Sequence, residues 1–225
     1  MRSVLNAAAP GTAAATRIVC LPGAYHTPED FLTAGFDRSM RRRGLAIDLL
    51  FVDVELRHLG DRSVLQQLKH EIVAPARALG CRSIWFAGIS LGGFIALDYA
   101  ASNPADLDGL CLLAPYLGSR MLIADIARAP AVAAWTAGEL AQVDEERRVW
   151  CFLQGLLAPA EQLARRAAIA SPRLHLGFGS DDRFAAAHRL LAQALPARAV
   201  DAVPGGHDWR TWTMLWENFL DANFT

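Results

Sequence analysis

The chain has 225 residues, 53% of them apolar and 20% charged, with a formal net charge of −1. That length suits one domain able to bury a full core without disulfide staples. The near-neutral balance argues against nucleic acid as a partner, and no apolar run approaches the length of a membrane span.

Residues 1–16, "MRSVLNAAAPGTAAAT", carry one early arginine and are interrupted at Pro10 and Gly11. They read as a mobile tail, not a signal peptide, which leaves 17–225 as a single domain. "RIVCLPG" (17–23) is a buried strand. "PEDFLTAGFDRSMRRRG" (28–44) has Phe31, Leu32, Phe36 and Met40 at helical spacing and stops at Gly44. "LAIDLLFVDV" (45–54) is a second strand. A helix opened by Asp61 and perturbed at Pro75 follows over 61–80. "SIWFAG" (83–88) is the third strand, "LGGFIALDYAASNP" (91–104) a helix, and "LDGLCLLAPY" (107–116) the fourth strand. Residues 117–171 hold only alanine-rich helical pattern with Trp135, Trp150, Phe152 and Leu153. They are expected as a helical insertion that caps the site, or as extra core helices. "RLHLGFG" (173–179) is a fifth strand, 183–195 a helix, 197–205 a short sixth strand, and 208–222 a closing helix.

Strands alternating with helices predict an α/β fold: a doubly wound, mostly parallel sheet of about six strands. The four cysteines, Cys20, Cys81, Cys111 and Cys151, form no C-x-x-C pair, so no zinc or redox motif is spelled. Cys20 and Cys111 sit inside strands as small apolar residues, which suits a reducing, cytoplasmic compartment.

The chemistry gathers at the strand ends. Gly88, Ser90 and Gly92 spell G-x-S-x-G between a strand and a helix, where a sharp turn lifts a serine hydroxyl above the sheet. A serine needs a base. Of six histidines, His70, His188 and His58 read as surface residues and His175 as core. His26 could line the site. His207, in "VPGGHDW" after the last strand, is the one on the same sheet edge as Ser90. The base needs a carboxylate, and "GFGSDDRF" offers Asp181 and Asp182 after the fifth strand. An oxyanion needs two N–H donors. Leu91, after the serine, is one; Ala24 in "LPGAYHT" is the other, with Tyr25 next.

These motifs resemble the α/β-hydrolase superfamily over nearly all of the chain after residue 17: "GISLGG" its nucleophile elbow, "GSDDRF" its acid turn, "GGHDW" its histidine loop. The resemblance implies acyl hydrolysis by Ser90, His207 and an aspartate, with no metal or organic cofactor. The family's acid commonly stands three residues after a turn glycine, which selects Asp182 after Gly179. Turn chemistry agrees, because an early aspartate such as Asp181 bonds its own turn. Two features depart from the family. Its opening antiparallel hairpin has no counterpart here, and its histidine-glycine pair reads Pro22-Gly23. The expected partner is a small-molecule acyl substrate cleaved as a carboxylic ester. The alternatives are a thioesterase by the same mechanism and a non-catalytic receptor on the same scaffold. Asp53, Glu55, Arg57, Tyr116, Trp209 and Arg210 are candidates for the pocket wall, as is Tyr25.

Overall fold

The computed structural model describes residues 1–54, 62–138, 144–157 and 172–224. Seven strands form one sheet: β1 (Ser3–Asn6), β2 (Thr16–Leu21), β3 (Ile47–Val52), β4 (Ser83–Ile89), β5 (Gly109–Leu113), β6 (Arg173–Gly179) and β7 (Val200–Val203). Their order is β1-β3-β2-β4-β5-β6-β7. All neighbours run parallel except β1, which pairs antiparallel with β3.

Alternate residues of each strand face opposite layers. Val19, Leu21 and Phe86 point to one core, shared with α3 (Ser63–Gln67), α4 (Ala74–Ala78), α5 (Leu91–Ser102), α7 (Glu145–Leu156) and α8 (Ala185–Ala192). Ile18, Cys20 and Trp85 point to the other, shared with α1 (Pro28–Ala34), α2 (Phe36–Arg42) and α9 (Trp209–Phe224). Because both faces are covered, β3 and β5 are buried along their whole length, which explains their continuous apolar reading.

One expectation at the N-terminus needs correction. The segment expected as a mobile tail contributes β1, so the sheet has seven strands where about six were expected. β1 pairs antiparallel with β3 and not with β2, so among the described residues it forms no opening hairpin. The reason is a tertiary clamp. Asp48, fully buried on β3, accepts hydrogen bonds from Ala8 N (3.0 Å), Ala14 N (3.1 Å) and the Arg17 guanidinium (3.1 Å). Burial alone pushes the Asp48 carboxyl up. The two backbone N–H groups and Arg17 outweigh it and hold the carboxyl below its ordinary value.

Two predicted helices are subdivided. The first breaks at Gly35, whose φ of 87° ends α1 in the left-handed region before α2 begins. The second runs from α3 through a π-helical turn, Leu68–Val73, into α4. Pro75 explains that turn: it lacks an N–H and crowds the carbonyl four residues back, so the ladder widens and Ala74 N–H reaches Lys69 O. Asp61 lies outside the described residues.

Between β5 and β6 the described residues hold α6 (Arg120–Ala127), a 3-10 turn at Val132–Ala134 and α7. Trp150 is fully buried and its Nε1–H donates to Leu117 O at 2.7 Å. Trp135 donates to Asp125 Oδ2 at 3.0 Å. Both indoles belong to the core beneath α7, which packs on α5. Residues 158–171 of this insertion lie outside the described residues. Among the described helices, no candidate membrane span is long and apolar enough.

Candidate active site

β4 ends at Ile89 and α5 begins at Leu91, so Ser90 alone makes the turn. Its φ of 51° is one that L-residues rarely adopt. Strain of this kind costs on the order of 1–3 kcal/mol and persists where neighbours over-determine it. Here Ser90 N–H donates to Leu113 O (3.0 Å), and Ser90 O accepts from Tyr116 N (2.9 Å) and Gly93 N (3.0 Å). The flanking glycines are required by contact. A Cβ at Gly92 would lie 2.2 Å from Leu21 O, and one at Gly88 would lie 2.4 Å from Gly92 O.

The carboxylate and the imidazole arrive by the same device. Strand β6 ends at Gly179, where a Cβ would lie 2.2 Å from Gly205 O. The turn after β6 and the loop after β7 therefore pack backbone to backbone, tied by Ser180 N to Val203 O (2.8 Å) and Asp181 N to Gly205 O (2.9 Å). This closeness brings Asp182 Oδ2 within 2.7 Å of His207 Nδ1. His207 Nε2 lies 2.9 Å from Ser90 Oγ. An ionised carboxylate only accepts, so Nδ1 carries the proton and Nε2 is left to accept from the serine hydroxyl. The other oxygen of Asp182 accepts from Phe184 N at 2.7 Å. Burial pushes the Asp182 carboxyl up, but the bonds from His207 and Phe184 N–H prevail and its pKa is lowered. Asp181 is exposed and accepts from Ser180 Oγ at 3.3 Å.

Aromatic rings fix the imidazole in place. Trp212 and Phe184 meet His207 edge to face, with centroids 5.0 and 5.2 Å away. A cavity of about 370 Å³ opens over the serine, lined by Gly23, Ala24, His26, Arg183, Asp208 and Trp209 among others. Gly23 stands against Ser90, since a Cβ there would touch Ser90 Cβ at 3.5 Å and His26 Nδ1 at 3.1 Å. As the first residue of α5, Leu91 has an N–H with no intrahelical acceptor.

The remaining candidates separate. Trp209 lines the cavity over Ser90, and Tyr116 lines a neighbouring one. Tyr25 is 88% exposed at φ 66° and lines neither. Asp53 pairs with Arg2 at 3.0 Å, and Arg210 is exposed and lines neither cavity. Glu55 and Arg57 lie outside the described residues, as does His58. Trp135 and Trp150 line neither cavity. His188, expected on the surface, is fully buried and its ring nitrogen bonds Pro115 O at 2.8 Å. The face of α8 that carries it also buries Ala185 and Leu191, so the helix turns this histidine toward the sheet. Burial lowers its pKa, so it is a neutral donor. Sequence reasoning missed Arg183, Phe184 and Trp212. The only sequence signal was their position within a few residues of Asp182 and His207. Among the described residues, no group of acidic, histidine and cysteine side chains is arranged to hold a metal ion.

Comparison with known proteins agrees with this architecture. A profile of the alpha/beta hydrolase family matches residues 18–222. No curated protein sequence matches the chain. Among solved structures, S-formylglutathione hydrolase from Staphylococcus aureus is similar at 12% identity and a TM-score of 0.60, covering 93% of this chain and 81% of its own. The fluorophosphonate-binding serine hydrolase F of the same organism is similar at 14% identity and a TM-score of 0.61, with coverages of 96% and 86%. Est1E from Butyrivibrio proteoclasticus is similar at 15% identity and a TM-score of 0.59, with coverages of 98% and 93%. At these identities the structures share a fold. The match over residues 18–222 carries the assignment: the chain belongs to the alpha/beta hydrolase family.

Proposed function

We propose that the protein is a carboxylic-ester hydrolase that works through an acyl-enzyme on Ser90. The observation that carries this reading is the unbroken line of hydrogen bonds from Asp182 through His207 to Ser90. In the first half-reaction Ser90 Oγ attacks the acyl carbonyl while His207 Nε2 takes its proton. The negative charge that develops on the carbonyl oxygen is met by the N–H groups of Leu91 and Ala24, aided by the positive end of α5. The imidazolium, steadied by Asp182, then protonates the leaving alcohol. In the second half-reaction His207 activates water against the acyl-serine, and Ser90 is regenerated. The backbone around Ser90 is fixed before substrate arrives, so the N–H donors need little reorganisation during the reaction.

Turnover of p-nitrophenyl acetate and butyrate by the wild-type protein and by Ser90→Ala tests the reading. Hydrolysis that disappears with the serine is the expected result. Wild-type protein inert toward every such ester overturns it.

A further inference from the structure

A second and larger cavity, about 1080 Å³, lies between α6 and α8. Its floor is apolar, formed by Leu117, Ile123, Ala127 and Leu190 among others. It joins the site already described through Arg183, which lines both cavities. The wall between them is Phe184, whose ring meets Tyr116 at 5.7 Å and His207 at 5.2 Å. Phe184 thus stands between a group held there and the imidazole.

The charge at this cavity is one-sided. Arg120, Arg183 and Arg189 line it, and among the described residues no acidic side chain does. That is uneven for a chain whose net charge is −1. Some arginines elsewhere are matched to carboxylates, as Arg43 is to Glu217 and Asp221 and Arg148 is to Asp98. Arg120 and Arg183 have no carboxylate partner among the described residues. Nearby carboxylates keep their charge but are held by neutral donors and pair with neither arginine: Glu146 accepts from Tyr116 Oη and Ser119 N, Asp208 from Thr211, and Asp181 from Ser180. Arg183 lies over the Phe184 ring with its guanidinium carbon 4.9 Å from the centroid, which holds the cation at the junction of the two cavities. Arg189 donates to Ser180 O at 2.7 Å.

An apolar trough flanked by guanidinium groups without a carboxylate partner among the described residues is complementary to an apolar arm that carries an anion. We propose that the groove between α6 and α8 is the acyl-arm subsite of this enzyme, and that it selects esters whose acyl group is apolar and carries an anionic group held by Arg183 and Arg120. The proposal rests on the ester-hydrolase reading of Ser90. The cavity exceeds the usual range of roughly 300–1,000 Å³ for small-molecule sites, so a medium-length chain fits within it.

The test compares two esters that differ only in charge: the mono-p-nitrophenyl ester of octanedioic acid and its neutral methyl ester. Wild-type protein should show the higher kcat/KM on the anionic ester. The anionic-to-neutral ratio should fall about tenfold in Arg183→Ala, be partly kept in Arg183→Lys, and invert in Arg183→Glu. Raising salt should shrink the wild-type preference. A ratio that does not move between wild type and Arg183→Glu overturns the subsite, while continued turnover of the neutral ester leaves the hydrolase reading standing. Should neither ester turn over, the hydrolase reading fails by itself. Calorimetric binding of octanedioate then decides the groove: weaker binding by Arg183→Glu supports it, and equal or absent binding by wild type and variant rejects it.

Discussion

On the proposed reading, the working unit comprises three side chains whose roles are separable by substitution. Ser90→Ala should fold normally and lose on the order of 10³-fold or more in kcat on a small ester. His207→Ala should be nearly as damaging, without multiplying the serine effect, because the two act together. Asp182→Asn keeps the shape but disfavours the tautomer with the proton on Nδ1, and kcat should fall by up to about 10⁴. Asp181→Asn, at an exposed carboxylate, should cost far less; kcat for both variants on one ester decides the matter. Asp182 also links pH to stability. Its folded value is depressed below the ordinary 3.8, so its stabilisation is complete above that value and is lost as pH falls through the folded value. Wild-type protein should therefore lose more stability than Asp182→Asn between neutral pH and acid, which thermal unfolding at graded pH would reveal.

Elements place those side chains by backbone contact, and this level was only partly legible in the sequence. The G-x-S-x-G spelling announced the elbow because its glycines answer a local need. Gly92→Ala should therefore cost several kcal/mol and most of the activity, since its Cβ would meet Leu21 O at 2.2 Å. Circular dichroism melting together with ester turnover checks this. The two breaks in the predicted helices show where local reading ends. Pro75 marked the perturbation, yet only the packed helix shows that the ladder widens over Leu68–Val73. Asp48 was invisible as a clamp, because its three partners, Ala8, Ala14 and Arg17, are distant in sequence. Asp48→Ala leaves Arg17 buried without its carboxylate and should destabilise by about 3–5 kcal/mol. Hydrogen exchange at Ser3–Asn6 should quicken more than at the central strands.

At the scale of the whole molecule, alternating strands and helices were enough to predict a covered parallel sheet. The sheet's edge was not predicted, because β1 is four residues of alternating exposure whose pairing comes from β3. That strand closes an edge. Removing residues 1–6 exposes the pairing groups of β3, whose six residues are all buried and largely apolar. The truncated protein should associate at concentrations where the full chain does not, and light scattering during size-exclusion chromatography measures this. The groove between α6 and α8 also escaped the sequence. Arg120 and Arg183 lie far apart in the chain, and only the folded chain gives them a common cavity.

The central claim is that Ser90 carries the acyl group between two half-reactions. Rapid-quench mass spectrometry of the intact protein mixed with p-nitrophenyl butyrate tests it most directly. The account predicts a transient mass increase of one butyryl group, mapped by peptide analysis to Ser90, absent in Ser90→Ala and prolonged in His207→Ala. Hydrolysis with no acyl-protein at any time, or an acyl group on a different residue, would contradict it.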